Sequence, residues 1–222
     1  MKIKVWDLAV RIFHWGLFGL LVASMVAIYQ EDLDQHMLIG QIILGFLVFR
    51  VFWGFWGPLT ARFSSFLGKR GTMQAHWQMM RGKIPYKPTL GHNPLGGLMV
   101  LVMMAALFVQ IGFGLFSFDQ IFTYGPLAHL IDDDQAMDMA GYHKKWAYVI
   151  LGLIILHVLA IGFYRRLKGD DLITPMITGN KKVEASGGLK ENPESSHVML
   201  GVRFLLTAGL AYGLVWYLLN KV

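Results

Sequence analysis

Apolar positions in this chain come in long unbroken runs, not in the stripes of a half-buried helix or the alternation of a surface strand. Residues 12–29, 37–57, 95–118 and 146–164 form four such runs, uncharged except for Arg50. Each falls in the range of about 17–25 residues that a helix needs to cross the hydrocarbon of a bilayer. A segment that is apolar all round predicts a helix surrounded by lipid and other helices, because lipid offers no partner to an unpaired backbone group. A fifth run, 204–219, reaches spanning length when 198–203 is added and Arg203 extends its head to the interface.

The polar positions between the runs are sorted by sign. Residues 58–94 carry Arg62, Lys69, Arg70, Arg81, Lys83 and Lys87 and no acid, and Arg165, Arg166 and Lys168 follow the fourth run. The link at 30–35 carries Glu31, Asp32 and Asp34, and 119–141 carries Asp119, Asp132, Asp133, Asp134 and Asp138, with no base in either. The positive-inside bias then predicts a cytoplasmic N-terminus, cytoplasmic segments at 58–94 and 165–197, and acidic links on the outer side, where Lys144 and Lys145 are the exceptions. The first run has the basic start of a signal peptide, but it is longer than a usual signal core and lacks a clean small-residue cleavage site before Gln30. It is read as a retained helix.

Composition agrees: 55% of residues are apolar, 15% are charged and the mean hydropathy is +0.48. The net charge of +6 is accounted for by topology, so nucleic-acid binding is not expected. With no cysteine, the chain cannot attach haem by thioether, ligate an iron–sulfur cluster or form a disulfide.

Histidines supply the candidate chemistry. His143 and His157 bracket the fourth run at a spacing of fourteen residues, which returns to within roughly 40° of the same helix face after a rise of roughly 21 Å. His14 lies near the cytoplasmic start of the first run and His36 at the outer start of the second. Topology therefore matches His14 with His157 on the inner side and His36 with His143 on the outer side, the outer two at helix starts. Imidazole is a neutral iron ligand, and two axial histidines leave no open position, which suits electron transfer. Four ionisable groups paired by depth inside spans point to function, and to two non-covalent haems. Ala147, Ile150 and Ile154 share the face between His143 and His157.

Other residues receive simpler readings. His76, His92, His129 and His197 are expected in loops or at surfaces. Arg50 and Arg11 either snorkel or pair with haem propionates. Trp6, Trp15, Trp53, Trp56, Trp146 and Trp216 are expected mostly at interfaces, and the methionines as core filler. Gly209 and Gly213 form a GxxxG that predicts close helix packing with a neighbour or a partner subunit. Residues 72–83 form either an amphipathic surface segment or a plain loop. Asn93-Pro94 reads as the cap and first turn of the third spanning helix.

The opening VWDLAVRIFHW, the run FRVFWGFWGPLTARFSSFL, the motif LGHNPLGGLMV, the segment HKKWAYVILGLIILHVLAIGFYRR and DLITPMITGNKK resemble the bacterial di-haem cytochrome b561 family. That family includes the B-type cytochrome subunits of membrane-bound nickel–iron hydrogenases. The resemblance covers roughly residues 4–182 and implies a four-helix haem-binding bundle. It places ligands on helices one, two and four, here His14, His36, His143 and His157, and implies electron exchange with quinone. The C-terminal span departs from the four-helix pattern.

The expectation is thus an all-α, multi-pass protein of the bacterial inner membrane: a four-helix transmembrane haem-binding bundle plus a fifth, C-terminal helix. The di-haem domain spans 1–182, a cytoplasmic linker 183–197 and the last helix 198–222. It would hold two haem b and carry electrons between the quinone pool and a periplasmic redox partner (a c-type cytochrome, a hydrogenase or another dehydrogenase). Two alternatives are a stand-alone oxidase passing electrons from a small donor such as superoxide to quinone, and a haem-free membrane anchor or transporter.

Overall fold

A computed structural model describes residues 2–66, 71–182 and 197–221. Five helices are long and apolar enough to cross a membrane: α1 (Leu8–Tyr29), α2 (Leu33–Trp56), α4 (Pro94–Leu115), α5 (Asp133–Leu167) and α7 (His197–Lys221). Between them lie the short helices α3 (Thr72–Met80) and α6 (Ile173–Thr178) and the three-residue strand β2 (Asn180–Lys182), and a second such strand, β1 (Lys2–Lys4), precedes α1. Of the predicted linker, 183–197, residues 183–196 lie outside the described residues, and His197 opens α7.

Local chemistry sets the helix starts. Asp7, Asp32, Asn93 and Asp132 each accept the backbone N–H three residues on, at Val10, Gln35, Gly96 and Gln135. These Asx caps satisfy donors that the helix itself leaves free. The cap at Asn93 with Pro94 in the first turn is as predicted.

The largest correction concerns α5, which has 35 residues and begins thirteen residues before the apolar run at 146. Its first third is polar and so invisible to a search for spans, yet Asp133 and Asp134 in the first turn complement the helix dipole. This is the end of the bundle that charge predicts to be outer, and the opposite end is the predicted inner one. His143 therefore lies ten residues inside a continuous helix, not at a helix start; His36 does lie in the first turn of α2.

Close backbone contact joins α1 to α2, α2 to α4 and α7, and α4 to α5, whereas α5 stands off from α1 and α2. A buried apolar cluster, with Leu47, Met104, Leu107 and Ile150, fills the middle of the bundle. A second cluster at the inner end gathers Val5, Trp6, Val10 and Trp53. Trp53 is only 1% exposed and donates to Asp7, so it is a core residue and not an interfacial anchor.

The inner surface is more structured than the sequence suggests. β1 pairs antiparallel with β2, Lys2 opposite Lys182, and Gly179 at a φ of 84° presents its carbonyl to the N–H groups of Val5 and Trp6. That left-handed turn suits glycine. Residues 72–80 fold as α3, and its His76 is 3% exposed with Nε2 2.8 Å from the Tyr164 hydroxyl, so His76 is buried and not a surface residue. Burial lowers its affinity for a proton.

On the outer side, Phe118 and Tyr124 stack at 4.0 Å across a short bridge. Asp119 between them accepts the N–H groups of Thr123, Ile121 and Phe122 through one oxygen, and these bonds hold its carboxyl down at about 2. Helix α7 is fastened to α2 by Trp56, whose indole donates to Thr207 at 2.8 Å, and by Arg203, which reaches the Trp56 carbonyl. Gly209 and Gly213 have nothing within 4 Å of a built Cβ, so the GxxxG packs against no other helix among the described residues. An apolar groove of about 450 Å³ runs between α1, α2 and α7.

Candidate functional site

The four spanning histidines meet in the two predicted pairs. His14 of α1 faces His157 of α5 with ring centres 6.2 Å apart, and His36 of α2 faces His143 of α5 at 5.9 Å. A first-row metal ion sits about 2 Å from an imidazole nitrogen, and adding roughly 1 Å from nitrogen to ring centre puts two rings on one iron about 6 Å apart. Ligands on opposite sides of one iron can rotate about their common axis, so interplanar angles of 50° and 87° both satisfy that geometry. The stand-off of α5 from α1 and α2 suits a flat macrocycle between them.

Tautomers at the outer pair point the same way. Nδ1 of His36 lies 3.1 Å from the Ser24 carbonyl and 3.0 Å from its hydroxyl, and Nδ1 of His143 lies 2.9 Å from the Gln110 carbonyl. A carbonyl can only accept, so it selects the Nδ1–H form and leaves the Nε2 lone pair free. Iron ligation needs that lone pair. The Gln110 amide nitrogen lies 3.2 Å from Nε2 of His143, a contact an iron ligand would replace.

The close approach of His143 to α4 depends on Gly114. A Cβ there would lie 2.9 Å from Cε1 and 3.1 Å from Nδ1 of the ring. Gln110 and Gly114, one turn apart, thus form a socket that sequence reasoning missed. Gln110 was legible as the lone amide in the third apolar run and Ser24 as the lone aliphatic hydroxyl in the first; nothing marked Gly114.

The inner pair is ringed by cations. Arg50 does not snorkel: it is 2% exposed, donates through Nη2 to the Ala61 carbonyl at 3.0 Å and lies 5.0 Å from the Phe63 ring centre. Its Nη1 is buried without a partner among the described residues. Arg11, one turn before His14, donates through Nη1 to the Ile177 carbonyl, and its Nε is likewise buried and unpartnered. Nδ1 of His14 and Nδ1 of His92 are in the same condition. A haem, with its carboxylates, offers the acceptors these groups lack, so the residues present fit that group.

A separate polar chain ties the inner end of α5 to the surface. Tyr86 donates to Asp170 at 2.7 Å, and Asp170 pairs with Lys181 at 2.7 Å. Burial, then the Asp170 hydrogen bond and charge, push the Tyr86 hydroxyl well above its usual range.

The chain is 24% identical over 221 residues to a Rhizobium leguminosarum bv. viciae protein described as a probable Ni/Fe-hydrogenase B-type cytochrome subunit, a match covering 81% of this chain and 89% of the relative. No solved structure matches the chain. Residues 5–179 match the prokaryotic cytochrome b561 family, leaving α7 outside the matched region. The chain belongs to the prokaryotic cytochrome b561 family and is accordingly a multi-pass bacterial membrane cytochrome that works in electron transfer with haem b.

Proposed function

We propose that the chain carries electrons across the cytoplasmic membrane between the quinone pool and a periplasmic redox partner, holding one haem b between His14 and His157 and a second between His36 and His143. The observation that carries this reading is the pair of facing histidine couples strung along α5, fourteen residues or roughly 21 Å apart. A haem held by each histidine couple would supply a one-electron carrier. The chain's own residues do the rest. The histidines fix position, Ser24 and Gln110 set the outer tautomers, and the apolar cluster between the couples excludes water. Arg50 and Arg11 pair with propionates of the inner haem.

The partner is a hydrogenase, a c-type cytochrome or another dehydrogenase, a reading supported by the description of the Rhizobium relative. Charge supports the orientation: the inner site lies beside the basic segments and the outer site beside the acidic ones. Residues 1–182 make up the redox domain, and the C-terminal helix is an addition to it.

A reduced-minus-oxidised visible spectrum with a haem count on the purified protein tests the cofactor. Two b-type haems per chain, reducible by quinol in proteoliposomes, are expected. No haem signal would leave only a membrane anchor or transporter, and superoxide-driven quinone reduction without a partner would favour the stand-alone oxidase. Because the chain lacks cysteine, Lys83→Cys and Phe122→Cys report orientation directly. A membrane-impermeant thiol reagent should label the second and spare the first in intact spheroplasts; the reverse would invert the topology.

Gly114→Ala gives a sharper test of the outer site. The added methyl forces the His143 ring away from α4 and strains its bond to Gln110. Disturbing an outer-shell partner of a metal ligand typically costs about 10–100-fold in affinity. Haem titration of the apoprotein should show that loss at one site of two; equal affinities at both would contradict the socket.

A further inference from the structure

His92 lies in the stretch between α3 and α4, two residues before Pro94, and the reading of the inner site gives it no task. Its ring is held between Trp6 at 4.6 Å and Phe66 at 4.9 Å, both tilted against it. These contacts hold the ring in place, and its Nδ1 is buried without a partner among the described residues. The ring connects to Arg50 through Phe66 and Phe63, the latter lying under the guanidinium. Burial, and after it the positive field of Arg50 and the proximity of His14 and His157, push the imidazole down to about 3, so His92 is neutral.

The unmet groups are of one kind. Nη1 of Arg50 and Nε of Arg11 can only donate, and in the Nδ1–H tautomer so does the free edge of His92. Burying such donors unmet is costly, so they call for an acceptor with several lone pairs. Asp7, the acid nearest in sequence to Arg11, is already engaged by Val10 and Trp53. A carboxylate has two oxygens and roughly four acceptor positions.

We propose that His92 is a further cofactor-binding residue, donating from Nδ1 to a carboxylate of the haem held by His14 and His157, beside Arg50. This rests on the reading of the inner couple as a haem site. A neutral donor here partly compensates the carboxylate's charge, and removing it stabilises the oxidised iron. His92 therefore sets the potential of the inner haem relative to the outer.

The test is a potentiometric titration of both haems in the wild type, His92→Leu and His92→Gln, with resonance Raman of the propionate bending band. In His92→Leu one haem should titrate at a lower potential with a shifted band, the other staying unchanged. His92→Gln, which restores an N–H donor, should recover most of both signals. Unchanged potentials and band in His92→Leu, with two haems present, would overturn the proposal. So would a shift of both haems alike, or a glutamine variant no closer to wild type than leucine. Should His92→Leu lose the inner haem, a loss in His92→Gln as well would mean that the ring is only a packing element. Retention in His92→Gln with a near-normal potential supports the donor role. A wild-type protein without haem would instead overturn the underlying site, an outcome distinct from all of these.

Discussion

Replacing His157 with alanine is expected to remove one haem per chain and leave the other in place. Its ring faces His14, whereas His36 and His143 are fixed by the separate carbonyls of Ser24 and Gln110. Deleting even a partner of a metal ligand costs about 10–100-fold, so loss of the ligand itself should cost more. A haem assay should fall from two per chain to one, and quinol-driven reduction of an outer acceptor in proteoliposomes should drop at least about 100-fold. His36→Ala should give the same count with the opposite haem missing, distinguishable by its spectrum and potential. A full complement in either variant, or loss of both haems in each, would contradict the pairing.

The second large effect is expected at Arg50. A buried cation whose one hydrogen bond among the described residues is to a neutral carbonyl is costly, and Arg50→Met should then be neutral or stabilising in haem-free protein. In the haem-loaded protein the sign should reverse, because the variant strands a buried carboxylate; breaking such a pair costs about 3–5 kcal/mol. Denaturant-induced haem release compared between wild type and Arg50→Met reads the difference. Equal release would mean that Arg50 serves packing against Phe63 alone.

Much of this was legible in sequence for a physical reason. In lipid every backbone group must be paired internally, so uninterrupted apolarity translates almost directly into spanning helices, and the sign of the flanking charges translates into depth. Depth then paired the histidines, since two ligands of one iron must lie at one level. What stayed hidden depended on contacts between distant segments. The polar start of α5 is a helix because of its cap and dipole, not its hydropathy. His76 and His92 looked like loop residues because nothing local reveals that α3, α5 and the N-terminal Trp6 fold over them. Arg50 looked equally able to snorkel until the turn after α2 brought the Ala61 carbonyl to it. Gly114 is one of many glycines, and only its neighbour His143 makes it matter.

The two couples share one helix but not the other, and this makes the molecule mechanically asymmetric. α1 supplies a facing histidine to the inner couple and only the backing Ser24 carbonyl to the outer one, and α2 supplies a facing histidine to the outer couple. α5 contributes to both. A slip of α5 by one residue would turn both of its rings through about 100° and shift them about 1.5 Å together. Whatever docks on the polar first third of α5 therefore grips the same rod that carries His157, and a twist applied at one end is felt at the other without any change in the helices between.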